Sequence, residues 1–253
     1  MKISIITVCY NSEKHIKSAI ESVINQTYQN IEYIIVDGAS KDSTIEIVKS
    51  YGDKITKFVS EPDKGIYDAM NKGFKMATGD YLAVINSDDF YMSKDAIASV
   101  VHELELKKTD SLFADLIYVE EYNTNKQVRY WKSNSFVKSS FKKGWHPAHP
   151  TFFVKNEIYK KFGYFDLSFK LAADFELMLR FLEKYQITST YLAKPIIKMR
   201  LGGATNKNFK NIYNQNIECY NAFKVNELSV SILYPLYRLL PKLIQFFKKD
   251  NAK

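Results

Sequence analysis

The chain has 253 residues, of which 46% are hydrophobic and 25% charged, with a net charge of +8. This ordinary globular usage excludes a disordered chain and leaves room for one large α/β domain or a domain with an appendage. Cys9 and Cys219 lie far apart without a CxxC pair, so neither a disulfide framework nor a cysteine zinc site is expected.

Lys2 to Val8 reads as a strand, entered directly without a signal peptide's apolar segment and cleavage site. A cytoplasmic location is therefore expected. Ile16, Ala19, Ile20, Val23 and Ile24 then recur at helical spacing, and Ile31 to Val36 forms a second strand. Ser43 precedes Glu46 by three residues, a capping-box arrangement that opens a helix through Ile45, Ile47 and Val48. Lys54 to Ser60 reads as a third strand, Ile66 to Ala77 as a helix, and Thr78-Gly79-Asp80 as a turn.

Tyr81 to Ile85 is a short core strand that stops abruptly at Asn86, Ser87, Asp88 and Asp89. Hard oxygen ligands thus arrive at a strand's carboxyl end, where open α/β sheets bind their ligands. Two adjacent acids repel one another unless a cation lies between them, and Mg2+ or Mn2+ suits such a set. An exposed turn, which favours the same residue types, is the competing reading.

After a helix over Ala96 to Lys107 the pattern becomes less regular, and antiparallel pieces are expected. Ser111 to Val119 and Lys126 to Trp131 are strand-like, and two prolines keep Trp145 to Pro150 out of helix. Asn156 to Phe162 is a short helix closed by Gly163. Ala173 to Tyr185 is a stronger one, with Phe175, Leu177, Met178, Phe181 and Leu182 on its buried side. The alternation in the first half predicts a mainly parallel sheet covered by helices.

Between Tyr122 and Trp145 the chain carries Lys126, Arg129, Lys132, Lys138, Lys142 and Lys143 and no acid. Lipid headgroups or a phosphate-bearing acceptor suit this charge, and solubility alone also explains it. Nucleic acid is not expected, because no recognition motif for it accompanies the charge. His146 and His149 lack the third ligand of a zinc site. In the tail, Arg238, Lys242, Gln245 and Lys249 share one helical face opposite Leu236, Leu239, Leu240, Leu243 and Phe247. That pattern fits a helix lying in a membrane interface, or one docked on the catalytic domain or on a second subunit in a homodimer.

Four stretches, in order, resemble the inverting family 2 glycosyltransferases. They are Ile5 to Asn11, Ile34 to Thr44, Glu61 to Gly73 and Leu171 to Arg180, with the metal motif lying between the last two. The resemblance covers roughly residues 1 to 205. It implies the GT-A (nucleotide-diphospho-sugar transferase) fold, with residues 1–110 as the nucleotide-sugar half and 111–205 as the acceptor half, and 206–253 as a helical extension.

The resemblance also implies roles. Asp88, assisted by Asp89 or water, would hold the metal, with Asn86 and Ser87 near the ribose. Asn86 departs from the Asp common at that position. Asp37 would accept a hydrogen bond from a uracil or guanine ring N–H, with Gly38 beside it and Thr7, Tyr10 and Asn11 lining the base and ribose. Lys64 would reach the diphosphate or base edge, and Asp68 and Asn71 would face the cleft one turn apart. Asp174, near a helix start, would be the catalytic base, although Ala173 replaces the usual Glu. His149 would contact acceptor or leaving phosphate. Arg200, in a closing loop over Met199 to Asn206, would reach a phosphate, with Gly202 and Gly203 letting the loop move. Turn, cap or solvated roles stand as alternatives for Asp37, Asp42, Lys64 and Asp174.

The implied activity is metal-dependent inverting transfer from a UDP- or GDP-sugar to a glycan. A lipid-linked oligosaccharide of bacterial surface polysaccharide, at the inner face of the cytoplasmic membrane, is the expected acceptor. A sugar nucleotidyltransferase is the runner-up, but the Gly-rich loop it would carry after the first strand is missing. A noncatalytic sugar-nucleotide or lipid-binding subunit is the reading from another class.

Overall fold

The computed structural model describes residues 1–202, 209–235 and residue 238. Strand β1 (Ile3–Cys9) is buried along its whole length. Its side chains alternate between two cores, Ile3, Ile5 and Cys9 on one face and Ile6 and Val8 on the other. Burial on both faces is why its sequence is almost continuously apolar. Strands β2 (Ile31–Asp37) and β4 (Tyr81–Asn86) flank β1 in parallel, and β3 (Lys57–Ser60) extends the β2 side. Cys9 pairs with Asp37, Val8 with Asn86 and Asp37 with Ser60, so all four strands end at one rim.

Helices α1 (Ile16–Ile24), α2 (Thr44–Lys49) and α4 (Ala96–Lys107) cover one face. The other is covered by α3 (Ile66–Met76), α5 (Asn156–Phe162), α6 (Ala173–Leu179) and α7 (Phe209–Val225). Helix α3 lies close on β1 because residue 73 is glycine: a Cβ there would come within 2.4 Å of Ile6 Cγ2.

Beyond β4 the sheet continues through β8 (Phe153–Lys155), β6 (Ser111–Val119), β9 (Ser189–Arg200) and β5 (Phe90–Tyr91), with β7 (Gln127–Trp131) also on β6. β8 is antiparallel to both β4 and β6, whereas β9 runs parallel to β6. The sheet is thus an α/β sheet with antiparallel additions, as the sequence predicts.

Several local expectations are corrected. The Ser43 side chain makes no cap bond; Asp42 Oδ1 instead accepts the Thr44 N–H at 3.0 Å, and Glu13 Oε2 accepts the Ser43 N–H at 3.0 Å. The helix from Ala173 is α-helical only to Leu179 and widens into a π turn over Arg180–Lys184. Met199 and Arg200, expected in a closing loop, end β9, followed by a turn at Leu201 and Gly202. Gly203 and the rest of that loop lie outside the described residues.

The amphipathic tail falls mostly outside the described residues as well, Lys242, Gln245 and Lys249 included. Arg238 is described, and it is buried: its Nη1 donates to Asn216 Oδ1 at 2.9 Å and its guanidinium lies 5.4 Å from the Phe175 ring centroid. The headgroup-facing position expected for it is therefore corrected. Tyr234 and Phe223 pack edge to face beside it, 4.9 Å between centroids, and draw this part of the tail onto the protein. Among the described residues no helix is long and apolar enough to cross a membrane.

Candidate active site

The rim where the parallel strands end is tied together before any ligand is considered. Asn11, with φ of 48°, accepts the Lys41 N–H through Oδ1 at 2.8 Å, while its own N–H goes to Ser40 Oγ at 2.8 Å. Ser12 Oγ meets Ser87 Oγ at 2.9 Å, joining the β1 loop to the β4 loop. Asp37 is fully buried: its Oδ2 accepts from Ser40 N at 2.9 Å and Ser60 Oγ at 2.7 Å, and its Oδ1 from Ser40 Oγ. A carboxylate so engaged shapes the β2 loop. Burial and the neighbouring Asp37 charge also push the Cys9 thiol far up, keeping it inert.

Three other residues expected at the donor are also tied into the fold. Thr7 is buried and shares a 3.0 Å hydrogen bond with the Tyr33 hydroxyl. Asn71 is buried and clasps the backbone of Phe165, donating to its carbonyl and accepting its N–H, both at 2.9 Å. Asp68 caps the start of α3 by accepting the Lys64 N–H at 2.9 Å. Tyr10, Gly38 and Lys64 do lie at the rim, with Tyr10 61% exposed and Lys64 exposed.

At the end of β4 the two adjacent acids separate. Asp89 is fully buried; its Oδ2 accepts from Asn86 Nδ2 at 2.9 Å and its Oδ1 from the Arg200 backbone N–H at 3.2 Å. Burial first, then the Asp88 charge, hold its carboxyl well above the ordinary carboxylate range. The metal contact expected of Asp89 does not suit a carboxyl so enclosed, and it braces the loop instead. Asp88 is only half-buried, and Asn86 Oδ1 is buried without a hydrogen-bond partner among the described residues. One carboxylate and one orphaned amide oxygen fit a hard cation that draws its remaining ligands from diphosphate and water. No group of three or more His, Cys, Asp or Glu side chains suited to a metal occurs among the described residues.

Arg200, expected to reach a phosphate, is buried and already engaged. Its Nη1 donates to the Asp88 carbonyl, Nε to the Glu121 carbonyl at 3.2 Å and Nη2 to Ser18 Oγ at 3.1 Å. Its guanidinium also lies 4.6 Å from the Phe90 ring centroid. The phosphate contact is replaced by a structural one that holds the Asp88 loop onto β9.

Asp174 is half-buried in the first turn of α6, and the Tyr67 hydroxyl donates to its Oδ1 at 3.1 Å. Burial and this carboxylate push the Tyr67 phenol well up, so it remains a donor. His149 packs edge-on to Phe165 at 5.5 Å, and burial lowers its pKa against the opposing pull of Asp174. Tyr118, on β6, responds to both acidic centres. Burial pushes its phenol up to about 12, opposed by Arg129 and reinforced by the charges of both Asp89 and Asp174. The Arg129 guanidinium sits over Tyr118 and Trp131, at 5.2 and 5.5 Å.

Tyr67, Tyr118 and Arg129 were not candidates from the sequence. Tyr67 and Asp174 are 107 residues apart, and nothing local links them. Arg129 did stand out as part of the acid-free basic stretch.

Comparison with known proteins follows the same outline. The family described as "Glycosyl transferase family 2" matches residues 4–171. An uncharacterised glycosyltransferase of Rickettsia typhi is 31% identical, over 98% of this chain and 80% of that protein. A PGL/p-HBAD biosynthesis glycosyltransferase of Mycobacterium bovis is 25% identical over 75% of this chain and 73% of its own length. The fold is shared with S. aureus TarS 1-349 in complex with UDP-GlcNAc, at a TM-score of 0.65, 18% identity and coverage of 98% and 73% of the two chains. It is shared too with the mannosyltransferase PcManGT of Pyrobaculum calidifontis, in complex with GDP-Man and Mn2+, at a TM-score of 0.64, 15% identity and coverage of 96% and 73%.

Proposed function

This chain belongs to glycosyl transferase family 2, and on that premise we propose that it transfers one sugar, with inversion, from a UDP- or GDP-sugar to a glycan acceptor. Structural neighbours bound to UDP-GlcNAc and GDP-Man support the donor class. Residues 1–110 serve the donor and 111–205 the acceptor, with 206–253 as an extension.

The observation that carries this reading is a pair of half-buried acids in prepared settings, Asp88 beside the orphaned Asn86 Oδ1 at the end of β4 and Asp174 oriented by Tyr67 at the start of α6; the Tyr118 phenol responds to Asp89 and Asp174 alike. An acid at a strand end and an acid at a helix start, opening on one space, can serve the two ends of a displacement. Asp88 and Asn86 Oδ1 would hold Mg2+ or Mn2+. When bound, the ion supplies positive charge that offsets the charge developing on a leaving diphosphate. Asp174 takes the proton of the acceptor hydroxyl as that oxygen attacks the anomeric carbon from the face opposite the diphosphate. Tyr67 fixes which way the Asp174 carboxylate points, and Arg200 fixes the backbone that carries Asp88.

A lipid-linked acceptor, met at the inner membrane face, is the finer part of the proposal. Exposed Lys126, Lys132, Lys138, Lys142 and Lys143 support it, together with the basic residues of the tail. The test is a panel of UDP- and GDP-sugars scored for metal-dependent nucleotide release, with and without a lipid-linked acceptor extract. Release that needs both ion and acceptor supports the reading, and no release with any pair sinks it.

A further inference from the structure

Helix α6, which carries Asp174, starts without a cap of its own. Residue 172, where a Ser, Thr, Asp or Asn would satisfy backbone donors at the helix start, is alanine, and no side-chain cap bond is made there. The acceptor comes from α7 instead. Glu218 Oε2 accepts the Leu171 N–H at 2.8 Å and the Ala172 N–H at 2.9 Å, and its Oε1 accepts the Lys170 N–H at 3.1 Å. Three successive backbone donors leading into α6 thus converge on one carboxylate from a helix beyond the stretch that matches the family, residues 4–171.

Other contacts tighten this hold. One turn earlier on α7, Gln215 Nε2 donates to the Leu171 carbonyl at 3.3 Å, so Leu171 is held at both its N–H and its C=O. Just after α7, Asn226 Nδ2 donates to Glu176 Oε1 at 2.9 Å. Asp174 falls midway between the two grips, two residues past Ala172 and two before Glu176. The Tyr67 phenol, pushed up by burial and then by Asp174, is pushed further by the charge of Glu218, which brings the three groups into one neighbourhood.

We propose that Glu218 is a positioning residue for sugar transfer, fixing the start of α6 so that the Asp174 carboxylate meets both Tyr67 and the acceptor hydroxyl; this rests on the reading of Asp174 as the base. Tyr67 sets the direction of the carboxylate, and Glu218 sets the backbone from which it projects. Without Glu218, three N–H groups lose their acceptor together and the first turn of α6 shifts. A displacement of about 1 Å at a reacting group costs roughly a hundredfold in rate. Donor binding, at the ends of the parallel strands, is left alone.

The experiment is steady-state kinetics of the full chain with Mg2+ and the donor and acceptor pair that the panel identifies. Glu218→Ala should lower kcat by about ten- to a hundredfold, with the donor KM and the calorimetric affinity for its nucleoside diphosphate unchanged. Glu218→Gln keeps an acceptor for Leu171 and Ala172 through its amide oxygen and should recover most of the lost rate. Glu218→Asp keeps the charge but is one methylene short, and should show the loss in milder form, so the test survives if the alanine variant does not fold. Combined with Tyr67→Phe, Glu218→Ala should cost a different factor from the one it costs alone, because both act on one carboxylate. Wild-type kcat in Glu218→Ala or Glu218→Asp, a donor affinity that falls along with kcat, or losses that simply multiply in the double variant overturns the proposal and leaves Asp174 as the base. Full transfer by Asp174→Asn strikes the base reading itself.

Discussion

The Tyr67 hydroxyl, on the first turn of α3, donates at 3.1 Å to Oδ1 of Asp174, on the first turn of α6. Two helices from opposite halves of the chain thus meet at the proposed base. Asp174→Asn should cut transfer by about 10^2 to 10^4, the usual worth of a positioned general base, and leave nucleotide affinity within about twofold. Tyr67→Phe frees the carboxylate without removing it. It should lower kcat by roughly tenfold and shift the acid limb of the kcat–pH profile, with KM for the donor unchanged. A profile identical to wild type would remove Tyr67 from the site.

Asp88 and the orphaned Asn86 Oδ1 make the ion's expected seat. Chelation by EDTA should abolish transfer, and Mg2+ or Mn2+ should restore it. Asp88→Asn should raise the ion concentration needed for half-maximal rate by about 10- to 100-fold. Asp89→Asn keeps the shape of a buried brace and should leave that concentration nearly unchanged, which separates the roles of the two acids.

Glu32, buried at the opposite end of the sheet, accepts from Ser4 Oγ at 2.6 Å, Thr78 N at 2.7 Å, Thr78 Oγ1 at 2.9 Å and Lys57 Nζ at 2.9 Å. Burial alone would push its carboxyl up, but these donors outweigh it and take the group down from 4.5 to about 2. A carboxylate whose folded-state pKa is depressed stabilises the fold above its unfolded value. That stability is lost as pH falls from about 4.5 through about 2. Urea unfolding across this range should show the loss. Glu32→Gln should flatten the slope there and cost roughly 1–3 kcal/mol at neutral pH.

Gly73→Ala would drive a methyl against Ile6 where α3 crosses β1. A loss of about 1–3 kcal/mol is expected from overpacking, read as a lower urea midpoint with unchanged slope. An unaltered midpoint would mean that the helix can lift from the sheet at no cost.

Local chemistry made much of the fold legible. Strands β1, β2 and β4 and the neighbouring helices announce themselves through buried apolar runs and helical spacing, and the predicted bounds of Ala96–Lys107 and Ser111–Val119 match. What stayed hidden was short or long-range. β5 and β8 have two and three residues, too few for any periodicity. β9 carries Pro195 and register shifts opposite Ala114 to Leu116, which blur its alternation. Position at a strand end could be read for Asp37, Thr7 and Asp88, but not how completely each was already bonded. Asp37 and Thr7 look outward in the sequence, yet Ser40, Ser60 and Tyr33 enclose them.

Val154 is paired on both sides, with Leu82 of β4 and with Ser111 of β6, and among the described residues β8 is the strand that joins the two halves of the sheet. At the other end of β4 the chain crosses over to β9, where Phe90 pairs with Lys198 and Asp89 takes the Arg200 N–H. Two crossbars, one at the base and one at the rim, turn the two halves of the sheet into a closed frame. Asn86, where β4 ends just before Asp88 and the rim crossbar, lies four residues or roughly 13 Å along β4 from Leu82 at the base one. A tilt of about 5° at Val154 would therefore carry Asp88 by about 1 Å. Damage on the far side of the molecule from every proposed reacting group would register as misalignment rather than as unfolding.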